Sequence, residues 1–176
     1  MKFDTSIVKT VADTPLGPVT LAATDDGLAG LWFTGQRHLP PALAQPPLGR
    51  AWPRGDQHPV LQQTAAQLVQ YFAGQRDHFD LPLDLSGGTT FQQAVWRALC
   101  TIAPGHTCTY GTISQQVGQP TAVRAVGAAI GRNPISIVVP CHRVLGQGAS
   151  LTGYAGGLER KQALLRLEGV TTVFAR

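Results

Sequence analysis

Cysteine is scarce in this sequence. Cys100, Cys108 and Cys141 make an odd number with no C-x-x-C spacing, and residues 1–90 hold none. That argues against both a disulfide framework and a structural zinc site. Long apolar runs are absent as well, and Met1-Lys2-Phe3-Asp4 opens no signal-peptide pattern. A reducing, cytoplasmic setting with no membrane partner is the expectation. What remains is an ordinary globular composition, 43% hydrophobic over 176 residues. That is enough for one large domain or two small ones around a real core.

Acidic residues are missing from one half of the chain. Residues 1–90 carry six Lys or Arg against eight Asp, a net −2, while residues 91–176 carry eight against only Glu159 and Glu168, a net +6. A basic half attracts a polyanion and speeds encounter with it. Charge alone equally fits a surface kept soluble.

The first half reads as strands and one helix. Residues 6–11, 19–23 and 28–33 are strand candidates, with Thr14-Pro15-Leu16-Gly17 as a turn and Asp25-Asp26-Gly27 as a hairpin turn. Residues 34–56, with Pro40-Pro41, Pro46-Pro47 and Pro53, read as a loop. A helix starts at Pro59 with Leu61, Ala65, Leu68 and Phe72 on one stripe, and Gly74 ends it. Residues 81–85 are extended, and Ser86-Gly87-Gly88 is the linker, where the charge balance also changes sign.

The second half is mostly helical. Thr90 caps a helix with Phe91, Val95, Trp96 and Leu99 on one face. Ala103-Pro104-Gly105 turns the chain into a short helix over 110–117, then the corner Gly118-Gln119-Pro120, then a helix over 121–130. Helix, corner, helix is a helix-turn-helix pattern. In the basic half, with Arg124 near the start of the second helix, it suggests DNA reading. Ala122, Ala125, Gly127, Ala128 and Ala129 make that helix thin enough to lie against a duplex, or against the protein's own core. A last helix from Leu158 packs through Ala163, Leu164, Leu167 and Val170 and ends near Gly169, with Glu168 closing its apolar stripe. A carboxylate placed there needs a partner, and His142 is the logical one.

The chemistry centres on Pro140-Cys141-His142-Arg143-Val144. The apolar run 135–139 before it reads as a buried strand stopped by Pro140. Taken alone, the pentapeptide fits either a buried structural thiol beside a surface histidine or an activated nucleophile at the mouth of a site. With Glu168 added, Glu168 would orient His142, and His142 would draw the proton from Cys141. A cysteine hydrolase and a direct alkyl-accepting thiolate both use such groups. Adjacency weighs against the hydrolase: neighbours on an extended chain point to opposite faces, so a water or a sharp turn must join Cys141 to His142. No Gly-rich nucleophile elbow precedes the cysteine either. Cys100 and Cys108, with no neighbouring His or acid, read as structural.

The run Asn133-Pro134-Ile135-Ser136-Ile137-Val138-Val139-Pro140-Cys141-His142-Arg143-Val144 resembles the active-site segment of the O6-alkylguanine-DNA alkyltransferases, the methylated-DNA–protein-cysteine methyltransferases. So do Phe91-Gln92 with Val95-Trp96, Tyr110-Gly111, Arg124-Ala125-Val126-Gly127, and Tyr154-Ala155-Gly156-Gly157-Leu158 through Glu168-Gly169. These cover nearly all of residues 90–170. The first half resembles the family more loosely, through Thr14-Pro15-Leu16-Gly17 and Leu81-Pro82-Leu83-Asp84-Leu85.

The resemblance implies an α/β plus α architecture. An N-terminal RNase-H-like α/β domain would span 1–85, a linker 86–90, and a mostly helical C-terminal domain with a winged helix-turn-helix 91–176. It implies a suicide methyltransferase of the stand-alone repair type. Its partner would be duplex DNA carrying O6-alkylguanine, with no cofactor, as a monomer in solution. Activity on O4-alkylthymine and cooperative binding on DNA stay open.

The resemblance also assigns roles. Cys141 accepts the alkyl group, His142 is the base through a water, and Glu168 holds it. Asn133 braces the turn before the cysteine. Tyr110 protonates the leaving guanine and helps rotate the base out, Arg124 fills the gap in the stack, and Ala122 and Gly127 lie on the DNA side. Val144, Tyr154 and Ala155 line the base pocket. Simpler roles are open to some of these residues: Tyr110 as a packing ring, Arg124 as a phosphate contact, Asn133 as a turn residue. Members with a zinc in the first domain use cysteines that this chain lacks there, so no zinc is expected. Cys141 separates the chain from the alkyltransferase-like proteins, which carry Trp at the nucleophile. Fused members that sense alkylation for transcription carry an additional Cys-rich domain, absent here, so stand-alone repair is preferred over a regulatory DNA binder. Ala155, where a hydroxyl-bearing residue is possible, predicts a pocket that admits adducts larger than methyl.

Overall fold

The computed structural model describes residues 1–43 and 51–171. Of the expected loop 34–56, residues 44–50, with the Pro46-Pro47 pair, lie outside the described residues; residues 34–43 and 51–56 are irregular apart from one short 3-10 turn, Pro41–Leu43, and a bridge at Arg54.

Three strands form an antiparallel meander: β1 (Val8–Ala12), β2 (Val19–Thr24) and β3 (Gly27–Phe33). The β2–β3 turn needs its glycine. Gly27 has φ +143, and a Cβ there would stand 2.5 Å from the Pro82 carbonyl oxygen. That oxygen accepts the Leu28 N–H at 2.8 Å. Both sheet edges are engaged. Lys9 on β1 bridges Arg54, and on β3 Leu28 bridges Leu83 while Leu31 bridges Ile135.

Helix α1 (Pro59–Phe72) carries Pro at its first position, where the missing N–H has no intrahelical acceptor. Its buried face includes Leu61, Thr64, Leu68 and Tyr71. Of the stripe read from the sequence, Ala65 and Phe72 are only half-buried, so the helix is turned to send Tyr71 inward instead of Phe72.

Helix α2 (Thr90–Leu99) is capped by Thr89, one residue before the expected Thr90. The reason is reciprocal bonding. Thr89 Oγ1 accepts the Gln92 N–H at 3.3 Å, and Gln92 Oε1 accepts the Thr89 N–H at 2.9 Å.

A two-residue strand β4 (Cys108–Thr109) leads into α3 (Tyr110–Gln116) and then α4 (Val123–Gly131). Ser114 Oγ donates to the Gln119 carbonyl and pins the corner between the two helices. Thr121 and Ala122 belong to that corner, because the Ala122 N–H is held by the Gln119 carbonyl at 2.9 Å. The second helix therefore starts two residues later than expected. It is fixed from behind by the Trp96 indole, which donates to the Ala129 carbonyl at 2.9 Å.

The run 135–139 is buried but is not a strand. Only Ile135 bridges to the sheet; the chain then coils, with Ile137 at φ 71, a left-handed conformation that a β-branched residue rarely adopts. Asn133 overrides the strand propensity. Its Oδ1 accepts the Ile135 N–H at 3.0 Å, and its Nδ2 donates to the Val139 carbonyl at 2.8 Å. Those bonds take the place of a neighbouring strand.

Cys141–Arg143 forms one 3-10 turn, followed by β5 (Val144–Leu145), which pairs in parallel with β4. Residues Gln147–Ala149 form another short 3-10 turn. The last helix, α5 (Leu158–Leu167), buries Lys161, Leu164 and Leu165. Leu167, read as a packing residue, is 40% exposed.

One apolar core crosses the sequence midpoint. Val19, Leu21, Leu61 and Leu68 pack in the same cluster as Trp96, Leu99, Ile113, Val139, Val144 and Leu164.

Candidate active site

Cys141 sits at the start of its 3-10 turn, 5% exposed, where its thiol lines a cavity of about 130 Å³. Tyr110, Gly127, Tyr154 and Ala155 line the same cavity, together with Ile130, Gly131 and Gly153 and, from the first half of the chain, Arg37 and His38. The thiol is therefore buried in a pocket and does not stand at a mouth. Its Sγ accepts a hydrogen bond from Asn133 Nδ2 at 3.1 Å. Burial pushes the Cys141 thiol up; the Asn133 bond and the positive charge of Lys161 work against it but do not cancel it. At rest the group is a thiol, so reaction requires a base.

His142 is fully buried on the far side of the same turn. Its Nε2 lies 2.9 Å from Glu168 Oε1, and its Nδ1 is buried with no hydrogen-bond partner among the described residues. Burial holds the imidazole below its ordinary pKa, against the bond and charge of Glu168. It is thus neutral near pH 7 and able to accept a proton. Because Glu168 is an acceptor, Nε2 carries the hydrogen and Nδ1 the free lone pair. The 3-10 turn brings cysteine and histidine close in chain without bonding them to each other: Sγ faces Asn133 and the imidazole faces Glu168.

Glu168 is the hub of this cluster. Arg143 grips it with two bonds of 2.8 Å, Nε to Oε2 and Nη2 to Oε1, and its remaining arm reaches the Ile102 carbonyl. Tyr71, at the C-terminal end of α1, donates its hydroxyl to Oε1 at 2.8 Å. Burial works to raise this carboxyl, but the hydrogen bonds from His142 and Arg143, reinforced by their charge, hold it down at about 2.

Lys161 is the other buried charge. Its Nζ donates to the carbonyls of Val144 at 2.6 Å, Thr152 at 2.7 Å and Gly153 at 3.5 Å. Burial lowers it to about 8. It ties the strand after the nucleophile to the loop that carries Tyr154 and Ala155. Val144 itself lies outside the cavity wall, with its carbonyl taken by this lysine. Burial, and then the charge of Cys141, push the Tyr154 phenol well up.

The first half of the chain holds the pocket from one side. Leu31 on β3 exchanges hydrogen bonds of 2.9 Å with Pro134 and Ser136, Gln36 Oε1 accepts from Ser136 Oγ at 3.3 Å, and the Arg37 N–H meets the Ala155 carbonyl at 3.0 Å. On the other side α4 crosses the Tyr110 ring, where a Cβ on Gly127 would sit 3.7 Å from it. Arg124 is exposed at the start of α4 and Ala122 half-buried just before it. Neither reaches the cavity wall.

Sequence reasoning missed three contributors: Tyr71, Arg143 and Lys161. Lys161 was detectable, since it stands three and four residues before Leu164 and Leu165 on the apolar face, and a charge there needs partners as much as Glu168 does. Arg143 lay inside the quoted motif without a role. The partner of Tyr71 is 97 positions away and left no local signal. Among the described residues, no group of three or more His, Cys, Asp or Glu is arranged to hold a metal, and no helix is long and apolar enough to cross a membrane.

Both halves of the chain match known proteins. Residues 7–85 match the ribonuclease-like domain of 6-O-methylguanine DNA methyltransferase, and residues 90–170 match its DNA binding domain. A methylated-DNA–protein-cysteine methyltransferase of Mycolicibacterium paratuberculosis is 48% identical over 156 residues, 89% of this chain and 88% of that one. One from Methanosarcina barkeri is 42% identical over 90% and 94%. The crystal structure of the Mycobacterium tuberculosis O6-methylguanine methyltransferase superposes with a TM-score of 0.78 at 44% identity, covering 92% of each chain. The M. tuberculosis OGT in complex with DNA gives 0.78 at 43%, over 95% and 96%. The two-domain architecture, ribonuclease-like α/β followed by a DNA-binding domain, is thus that of these proteins, and the chain belongs to the methylated-DNA–protein-cysteine methyltransferase family.

Proposed function

We propose that this protein repairs DNA by moving the alkyl group of O6-alkylguanine onto Cys141 in a single, irreversible turnover. The observation that carries this reading is a buried cysteine lining a small pocket beside the helix-turn-helix, with a buried histidine on the same turn that is held by Glu168 through Nε2 and has no partner at Nδ1 among the described residues. In the reaction His142 Nδ1 takes the thiol proton through a water, and Sγ attacks the carbon attached to O6. The S–C bond forms as the C–O6 bond breaks, and Tyr110 supplies the proton that leaves guanine neutral. Glu168 and Arg143 keep the histidine oriented. Asn133 holds Sγ and the turn that presents it. A thioether does not dissociate, so the protein is consumed.

DNA enters along α4. Its exposed side is Val123, Arg124, Ala125 and Ala128, one cation among small residues, a surface that lies close to a duplex. The target base must leave the stack to reach a buried thiol, and Arg124 fills the space it leaves. Tyr154 and Ala155 line the pocket for the flipped guanine, and a Val144 backbone group lies behind it. The division into residues 1–85, a linker at 86–90 and residues 91–176 is supported by the limits of the two family matches. The protein acts as a cytoplasmic monomer on duplex DNA.

The test is to mix the purified protein with excess duplex carrying O6-methylguanine, digest it and weigh the Cys141 peptide. A gain of one methyl group, stopping at one equivalent per protein and absent from Cys141→Ala, is expected. An unmodified peptide under conditions where the duplex is bound overturns the reading and leaves a lesion-recognition protein. The same assay with O4-methylthymine decides whether that base is also a substrate.

A further inference from the structure

Glu168 Oε1 is shared. It receives His142 Nε2 at 2.9 Å, Arg143 Nη2 at 2.8 Å and the Tyr71 hydroxyl at 2.8 Å. The first two donors come from the nucleophile's own turn. The third comes from α1, on the other side of the linker. We propose that Tyr71 is a positioning residue for alkyl transfer: its hydroxyl fixes the carboxylate that orients His142, so the first half of the chain takes part in activating the nucleophile.

The geometry supports more than packing. Tyr71 is 2% exposed, and its ring is wedged against Phe72 at 5.4 Å and Phe79 at 5.2 Å between centroids. The hydroxyl therefore has little freedom to choose another partner. Burial, and then the charge of Glu168, hold the phenol far above its usual range, so it stays a donor wherever the protein is folded. A carboxylate oxygen with three donors cannot rotate, and this keeps the histidine in the tautomer with Nδ1 free. Tyr71 also draws negative charge from the very oxygen that His142 uses. That restrains how strongly Glu168 stabilises a protonated imidazole. The other charged groups acting on His142 are Arg143 and Lys161, both of which favour its neutral form.

The inference rests on the relay described under the proposed function. Tyr71→Phe removes one oxygen and keeps the ring. Without that donor Glu168 holds the proton on His142 more tightly, so the acid limb of the rate–pH profile moves upward. Loss of one hydrogen bond to a charged group corresponds to roughly tenfold. Alkyl transfer should therefore slow by up to about tenfold at the acid end of the profile, where His142 is protonated, and hardly at all near pH 9, with duplex affinity unchanged.

Phe79→Leu, which loosens the ring packing but keeps the hydroxyl, should lower the melting temperature and leave the profile in place. Replacing Tyr71 with p-aminophenylalanine keeps a donor at the far end of the ring and should recover part of the lost rate. If Tyr71→Phe does not fold, the p-aminophenylalanine protein is compared with one carrying p-methylphenylalanine at the same position, and equal profiles for those two overturn the proposal. A Tyr71→Phe profile that superimposes on the wild type, while Glu168→Gln shifts it, overturns the role of Tyr71 alone. If Glu168→Gln leaves the profile unmoved as well, the relay itself is wrong.

Discussion

His142 Nε2 and Glu168 Oε1 stand 2.9 Å apart in the interior, with the two side chains 0% and 3% exposed. The pair is anchored by Arg143, so the acid is at once part of the relay and half of a buried ion pair.

Glu168→Gln therefore has two separable effects. Leaving Arg143 buried without its counter-charge should lower unfolding free energy by about 3–5 kcal/mol, read by denaturant titration. Loss of the group that orients the base should slow alkyl transfer by roughly a hundredfold or more in single-turnover kinetics.

Acid should unfold the protein partly through the same group. With its folded pKa near 2 against an ordinary 4.5, Glu168 stabilises the fold fully above about pH 4.5. The unfolded chain binds the proton first, so this contribution, on the order of 3 kcal/mol, is lost as pH falls from about 4.5 towards 2. Stability curves for wild type and Glu168→Gln should converge over that window.

Lys161 works in the opposite range. Its folded value near 8 lies below the ordinary 10.5, so between those values the unfolded chain holds more protons and this group makes stability rise with pH. Lys161→Met should remove that rise. It should also lower stability at pH 7 by about 1–3 kcal/mol, because the carbonyls of Val144 and Thr152 lose their donor. Chemical denaturation of both proteins from pH 7 to 11 checks both points.

Asn133→Ala should raise the reactive pKa of Cys141, since the amide bond to Sγ is one of the influences holding it down. It should also lower stability by roughly 1–3 kcal/mol through the buried Ile135 N–H, which loses its acceptor Asn133 Oδ1. The pH dependence of thiol alkylation by iodoacetamide measures the first effect.

Arg124→Ala distinguishes two roles for an exposed cation. A phosphate contact predicts weaker binding with a salt slope smaller by about 1. A side chain that fills the emptied stack predicts nearly unchanged binding to intact duplex and slower alkyl transfer from paired O6-methylguanine. The melting temperature should not change in either case.

The meander, the helix from Pro59 and the helix-turn-helix were legible because each rests on local rules: alternation, a proline at the first helical turn, a glycine corner. The pairing of His142 with Glu168 was legible because an acid on an apolar helix face calls for a partner. The run 135–139 misled because its composition suits a strand, whereas the bonds of Asn133, a single side chain, coil it. Thr89 displaced Thr90 through a reciprocal bond visible only once Gln92 is counted from the cap. Tyr71 lay beyond reach because helix periodicity permits either it or Phe72 to face inward, and only an acceptor at position 168 decides between them.

The bridges on β3 have a mechanical consequence. The same edge receives Leu83, from the end of the first half, and Ile135, from the segment that leads to the nucleophile. Arg54 engages the opposite edge at Lys9. Peeling the reactive segment away would uncover backbone groups ready to recruit a strand from another molecule. Shelf life and reactivity are joined at that seam: heating should give one melting transition for the whole chain, and the fraction that opens should be the fraction that aggregates.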